Sequence, residues 1–172
     1  MGYTIMVGSD EMWQLVSPLS VRQVYGVKGH LAMEMKMDSA ALQAFLERDF
    51  PQVAGDFEFV EVAPPFVTMA LSASEKHLRP GGTVSGPSMF ALADVCAYFC
   101  ILSVLGPVGL AVTTNCSIDF MRKPQPGRLM CRMELLKLGR ALAVCEGRLF
   151  SEDTPDMPIA RAALTYSIPP TG

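Results

Sequence analysis

Residues Phe90 to Gly106 read FALADVCAYFCILSVLG, and this stretch decides the fold. A helix built from it has almost no polar face to turn towards solvent. From Met89 to Leu105 it is roughly one bilayer span, at the short end of the usual range. Asp94 near its start, Pro87 and Gly106 at its borders, and the lack of a close Lys or Arg cluster argue instead for the central helix of a soluble domain. That leaves one carboxylate about two turns inside an apolar helix. An ionised acid there is costly unless it is paired or hydrogen-bonded. Asp94 is therefore either a working group, such as a general base, or an acid facing an exposed gap or a nearby backbone group.

Bulk properties narrow the function classes. The chain has 172 residues, half of them hydrophobic and 18% charged, which suits one domain with a sizeable core. The net charge is -3 and no long basic run occurs, so nucleic acid is not expected as a partner. The five cysteines (Cys96, Cys100, Cys116, Cys131 and Cys145) form no CxxC pair and sit in apolar runs. They read as buried thiols of a reducing, cytoplasmic compartment. His30 and His77 lie far from any cysteine cluster, so no metal is expected. No signal peptide is expected at Met1 to Asp10.

Working outward, residues 1–36 show no strong period and form an N-terminal extension, with a short helix expected from Asp10 to Val16. The main domain is expected over residues 37–172. Asp38 or Ser39 can cap a helix ending near Asp49, with Leu42, Phe45 and Leu46 on one face. Strands are expected at Phe57 to Val62 and Phe66 to Ala73, divided by Pro64-Pro65. Alternation puts Phe57, Phe59 and Glu61 on one face of the first. After the long helix, strands are expected at Leu110 to Arg122, Leu129 to Leu138, Ala141 to Ser151 and Ile159 to Ile168. KPQPG, Gly139-Arg140 and DTPDMP separate them. Short turns imply antiparallel neighbours. One antiparallel sheet around a buried helix is an α+β solution, and the absence of βαβ alternation disfavours a Rossmann fold.

PGGTVSGP precedes the long helix. It is either an ordinary glycine turn or a helix start whose free N–H groups, near Gly86, receive negative charge. Thr113-Thr114-Asn115 either supplies a hydroxyl that orients water or reflects strand propensity alone. Arg122, Lys123, Arg128 and Arg140, near turns, either meet phosphates or are solvated charge. Gly86 and Asp94 are separated by about 12 Å of helix rise. A site using both needs another element to close it, and a second copy of the chain would do so.

GTVSGPSMFALADVCAYFC followed by CSIDFMRKPQPG resembles the hotdog-fold acyl-CoA thioesterases. Within them it is most similar to the phenylacetic-acid-degradation, or PaaI-like, group. The pattern there is G-T-x-H-G-G, then a helix reading F-A-L-A-D, then a strand reading T-I-D-F-L-R-P. The resemblance covers about Met37 to Pro169. It implies a long central helix wrapped by a curved antiparallel sheet, and homodimers or homotetramers with sites between subunits. It implies hydrolysis of an acyl-CoA, with CoA part of the substrate and no further cofactor. Asp94 would be general base or nucleophile, the Gly86 N–H would polarise the thioester carbonyl, and Thr113 or Thr114 would place water. Arg122, Lys123 and Arg140 fall where CoA phosphates or ribose bind, and Gly82 and Arg79 in the substrate loop. Three positions depart from the pattern: Ser85 replaces the histidine, Pro87 the glycine after it, and Arg79 a frequent asparagine. Ser85 could donate a hydrogen bond, and Arg79 could hold an acidic group of the substrate. The second expectation is a hotdog protein that binds an acyl-CoA or lipid-like ligand without hydrolysing it.

Overall fold

The structure is a computed structural model that describes residues 33–170. The helix expected from Asp10 to Val16 and His30 lie outside the described residues. Met37 is buried in the core, and the Lys36 and Met37 N–H groups both donate to the Ser103 carbonyl, at 2.7 and 3.2 Å.

Helix α1 spans Ser39–Asp49. Asp38 caps it, its carboxylate accepting from the Ala41 N–H at 2.9 Å, and Leu42, Phe45 and Leu46 face the core. Helix α2, Gly86–Leu105, is the apolar stretch. Ser85 is its N-cap, Pro87 lies in its first turn, and Gly106 ends it at φ 88°, a conformation that suits glycine. This helix is long and apolar enough to span a membrane, but most of its side chains are buried against the rest of the fold.

Six strands follow the expected order: β1 Phe57–Ala63, β2 Phe66–Ser72, β3 Val112–Phe120, β4 Arg128–Leu138, β5 Leu142–Ser151 and β6 Ala160–Ser167. They make one antiparallel sheet in the order β1-β2-β4-β5-β6-β3, with α2 lying against it. The hotdog arrangement implied by the sequence is the fold of the chain. Small side chains let helix and sheet approach closely. The Cys96 thiol reaches the Val67 and Cys131 carbonyls at 3.5 and 3.4 Å, and Cys100 reaches Pro65 at 3.3 Å. Phe99 fills the space beyond, edge-on to Phe45, Phe59 and Tyr98.

The structure differs from the sequence expectations in three places. β1 carries a bulge at Val60, so strict alternation fails. Phe57 and Phe59 face inward, but Glu61 turns outward to Arg132 at 2.7 Å. The short KPQPG turn does not join neighbours: β3 pairs with β6, and residues 121–127 carry the chain across to β4. That crossing is tied down where the Val84 N–H donates to the Pro124 carbonyl at 3.1 Å. Thirdly, β3 does not lie beside the strands that flank it in the chain but at the sheet edge, with Val112 56% and Phe120 51% exposed.

Candidate active site

Asp94 is held where α2 meets the β3–β6 pair. Thr113 and Tyr166 stand directly opposite each other in that ladder. A bulge follows at once, leaving Thr114 unpaired before Asn115 meets Thr165. The bulge sends the two threonine hydroxyls to different partners. Thr113 Oγ1 donates to Asp94 Oδ1 at 2.7 Å, whereas Thr114 Oγ1 donates to the Thr165 carbonyl at 3.1 Å. Tyr166, 2% exposed, also donates to Asp94 Oδ1, at 2.6 Å. Its alternative acceptor is the Asp94 carbonyl at 2.9 Å. Two donors thus converge on Oδ1, and among the described residues none is hydrogen-bonded to Oδ2.

Tyr166 was absent from the sequence reading. It follows Ala160, Ala162 and Leu164 on the buried face of β6, so its position was set by alternation. Burial, followed by the Asp94 charge, raises its phenol far above the usual tyrosine range. It therefore stays a neutral donor. The same two influences raise the half-exposed Cys116 thiol.

Asp94 borders two cavities. The larger, about 910 Å³, runs between α1, α2 and the segment leading into β3. Its walls include Phe45, Tyr98, Val112 and Tyr166, with Arg48 and Asp49 at one side. The smaller, about 380 Å³, lies towards the start of α2 and includes Phe57, Leu71, Phe90, Ser88 and His77. Phe50, Asp94 and Val95 line both. The His77 ring accepts from the Ser74 N–H at 3.0 Å and lies 3.6 Å from Asp56, so its nitrogens face partners other than Asp94.

The remaining sequence-derived residues are spread out. Gly86 opens α2, so its N–H has no carbonyl to meet within the helix, and the Phe120 ring lies beside it. Ser85 is engaged as N-cap: its hydroxyl accepts from the Ser88 N–H at 3.3 Å and contacts the Ser88 hydroxyl at 2.9 Å. Arg79 Nε donates to Thr83 at 2.8 Å, and Gly82 forms the exposed turn between them at φ 74°. Arg122 donates to the Pro158 carbonyl, and Lys123 and Arg140 are exposed. The structure brings Thr113 to Asp94 and places Gly86 at the far end of the first two turns of the same helix. Arg79, Arg122, Lys123 and Arg140 line neither cavity beside Asp94. Among the described residues no three His, Cys, Asp or Glu side chains cluster as metal ligands.

With this geometry in place, similarity to known proteins gives its class. The sequence profile of the thioesterase superfamily matches residues 81–157, which contain the glycine turn, all of α2 and the β3–β5 region. A solved Silicibacter structure ascribed to the thioesterases is 55% identical, with TM-score 0.75, covering 81% of this chain and 96% of that one. The chain belongs to the thioesterase superfamily. A mutant of the phenylacetic acid degradation protein PaaI from Thermus thermophilus is 25% identical, with TM-score 0.61, covering 69% of this chain and 99% of that one. Zebrafish thioesterase superfamily member 2 shares the fold at 22% identity and TM-score 0.66, covering 76% of this chain and 95% of that one. A comparison with curated proteins gives no match.

Proposed function

We propose that the protein hydrolyses an acyl-CoA thioester, with Asp94 as the working carboxylate. The observation that carries this is Asp94 itself: held through Oδ1, bordering two cavities, with no hydrogen bond to Oδ2 among the described residues. As general base, Oδ2 takes a proton from water while the water oxygen attacks the thioester carbon. The C–S bond then breaks, and the thiolate recovers the proton from Asp94. The products are the free acid and CoA. As nucleophile, the same oxygen would attack the carbonyl, expel the thiolate and leave a mixed anhydride for water to cleave. In both routes negative charge develops on the carbonyl oxygen, and a free N–H at a helix start is suited to receive it.

One chain does not supply that N–H beside its own Asp94. Gly86 is eight residues away, about 12 Å along the helix. The reading therefore includes a homodimer in which Gly86 of a second copy faces Asp94. The β3 edge supports it: the strand has a sheet neighbour on one side only, and Val112, Phe120 and Met121 are exposed along or just beyond it. CoA phosphates and ribose would meet Arg122, Lys123 and Arg140, and Arg79 with Gly82 would contact substrate from the loop. The protein would work in the cytoplasm.

The test is thiol release from aromatic, short-chain and long-chain acyl-CoAs, with Asp94→Asn alongside. Loss of the base is expected to cost about 10²–10⁴-fold in rate. Activity that survives the substitution undiminished removes Asp94 from the mechanism. Engagement of Ser85 as a helix cap, where the family pattern has histidine, favours a second reading of ligand binding without turnover. That reading expects thermal stabilisation by acyl-CoA with no thiol released.

A further inference from the structure

We propose that Tyr166 is a positioning residue for Asp94, and that with Thr113 it selects which carboxylate oxygen reacts. This rests on the reading of Asp94 as the working carboxylate. A carboxylate has two equivalent oxygens and rotates about its last bond unless its surroundings distinguish them. Here both donors meet Oδ1, at 2.6 Å from Tyr166 and 2.7 Å from Thr113. Such charge-assisted bonds are short and roughly twice as strong as neutral ones. With Oδ1 engaged, Oδ2 is the oxygen left to meet water or the thioester carbon.

The two donors differ in kind. Thr113 carries a short side chain on the edge strand β3, exposed in the single chain. Tyr166 is anchored by core packing at the wall of the larger cavity, 2% exposed, its ring beside Tyr98 at 6.3 Å between centroids. Among the described residues its hydroxyl donates to the Asp94 side chain at 2.6 Å or to the Asp94 carbonyl at 2.9 Å. A phenol fixed by core packing holds the carboxylate more rigidly than a threonine hydroxyl on the edge strand does. Preorganisation of this kind raises turnover more than it tightens substrate binding.

The experiment compares wild type, Tyr166→Phe and Thr113→Val. Phenylalanine removes only the hydroxyl, and valine keeps the shape of threonine. Tyr166→Phe is expected to lower kcat about 10-fold or more with KM little changed. The acidic limb of its pH–rate profile should move up by about one pH unit, as expected for the loss of one hydrogen bond to a charged group. Thr113→Val should shift it in the same direction by less. A parallel readout follows the carboxyl carbon of labelled Asp94 against pH by NMR, and its midpoint should move with the acidic limb. An unmoved midpoint and profile in folded Tyr166→Phe overturn the inference, whatever its rate. Should Tyr166→Phe fail to fold, Thr113→Val decides: an unmoved midpoint there rejects the shared hold on Oδ1. If wild type releases no thiol from any acyl-CoA, the hydrolase reading fails, and the carboxyl titration alone decides the inference.

Discussion

Gly86→Pro isolates one hydrogen-bond donor with unusual economy. Proline is well tolerated at the first helical position, where no helical bond is lost. Ser85 before it is already extended, at φ -76° and ψ 154°, as a residue preceding proline must be. A Cβ built on Gly86 meets nothing closer than the Phe120 ring at 3.5 Å, an ordinary contact. The substitution therefore removes an N–H without a steric clash; because residue 86 itself precedes Pro87, circular dichroism and thermal melting establish the fold of the variant before its rate is read. If that N–H receives the developing oxyanion, kcat falls by about 10²–10³. Gly86→Ala keeps the N–H and should remain near wild type. The between-copies site then has a direct assay: co-express Gly86→Pro with differently tagged Asp94→Asn and purify through both tags. Each mixed dimer has one site with both lesions and one with neither. Its activity should be about half that of wild type, although both parents are nearly inactive. Mixed dimers no more active than the mean of their parents refute a site shared between chains.

Three further outcomes follow from the packing. Cys96, Cys100, Cys131 and Cys145 are buried, and Cys116 is half-exposed. A thiol reagent should therefore modify Cys116 first and the other four only on unfolding; rapid native labelling of more than one contradicts the core arrangement. Phe99→Ala removes a fully buried ring with three aromatic neighbours and should cost roughly 3–5 kcal/mol in urea unfolding. A loss below about 1 kcal/mol would show that the site collapses or that Phe99 is not buried as described. Burial and the Asp94 charge raise the Tyr166 phenol above its unfolded value. Its neutral form is thus favoured in the fold. That contribution is complete below about pH 10 and is lost as pH rises further. Unfolding free energy should fall more steeply above that pH in wild type than in Tyr166→Phe.

Much of this architecture was legible because it is written in local pattern. Asp38, Pro87 and Gly106 mark helix ends by capping chemistry, and the strands carry their own alternation. What the sequence hid depends on pairs far apart in the chain. The bulge at Val60 is decided by how β1 meets β2, and no residue type announces it. The short KPQPG turn suggested adjacent strands, but β3 gains its partner only when β6, the last strand, arrives. That same pairing separates Thr113 from Thr114, which strand propensity treats alike.

Tyr166 was nevertheless within reach of physical reasoning. Alternation through Ala160, Ala162 and Leu164 places it on the apolar face of β6, and a buried phenol hydroxyl needs an acceptor. Asp94 is the corresponding anomaly on α2, a carboxylate on a buried helix that needs donors. Each would be costly alone. An apolar helix packed on an apolar sheet face offers few other side-chain partners, so the two solve each other's problem. The fold thus joins a buried phenol and a half-buried acid into one fixed carboxylate at the border of two cavities, with one oxygen left for chemistry.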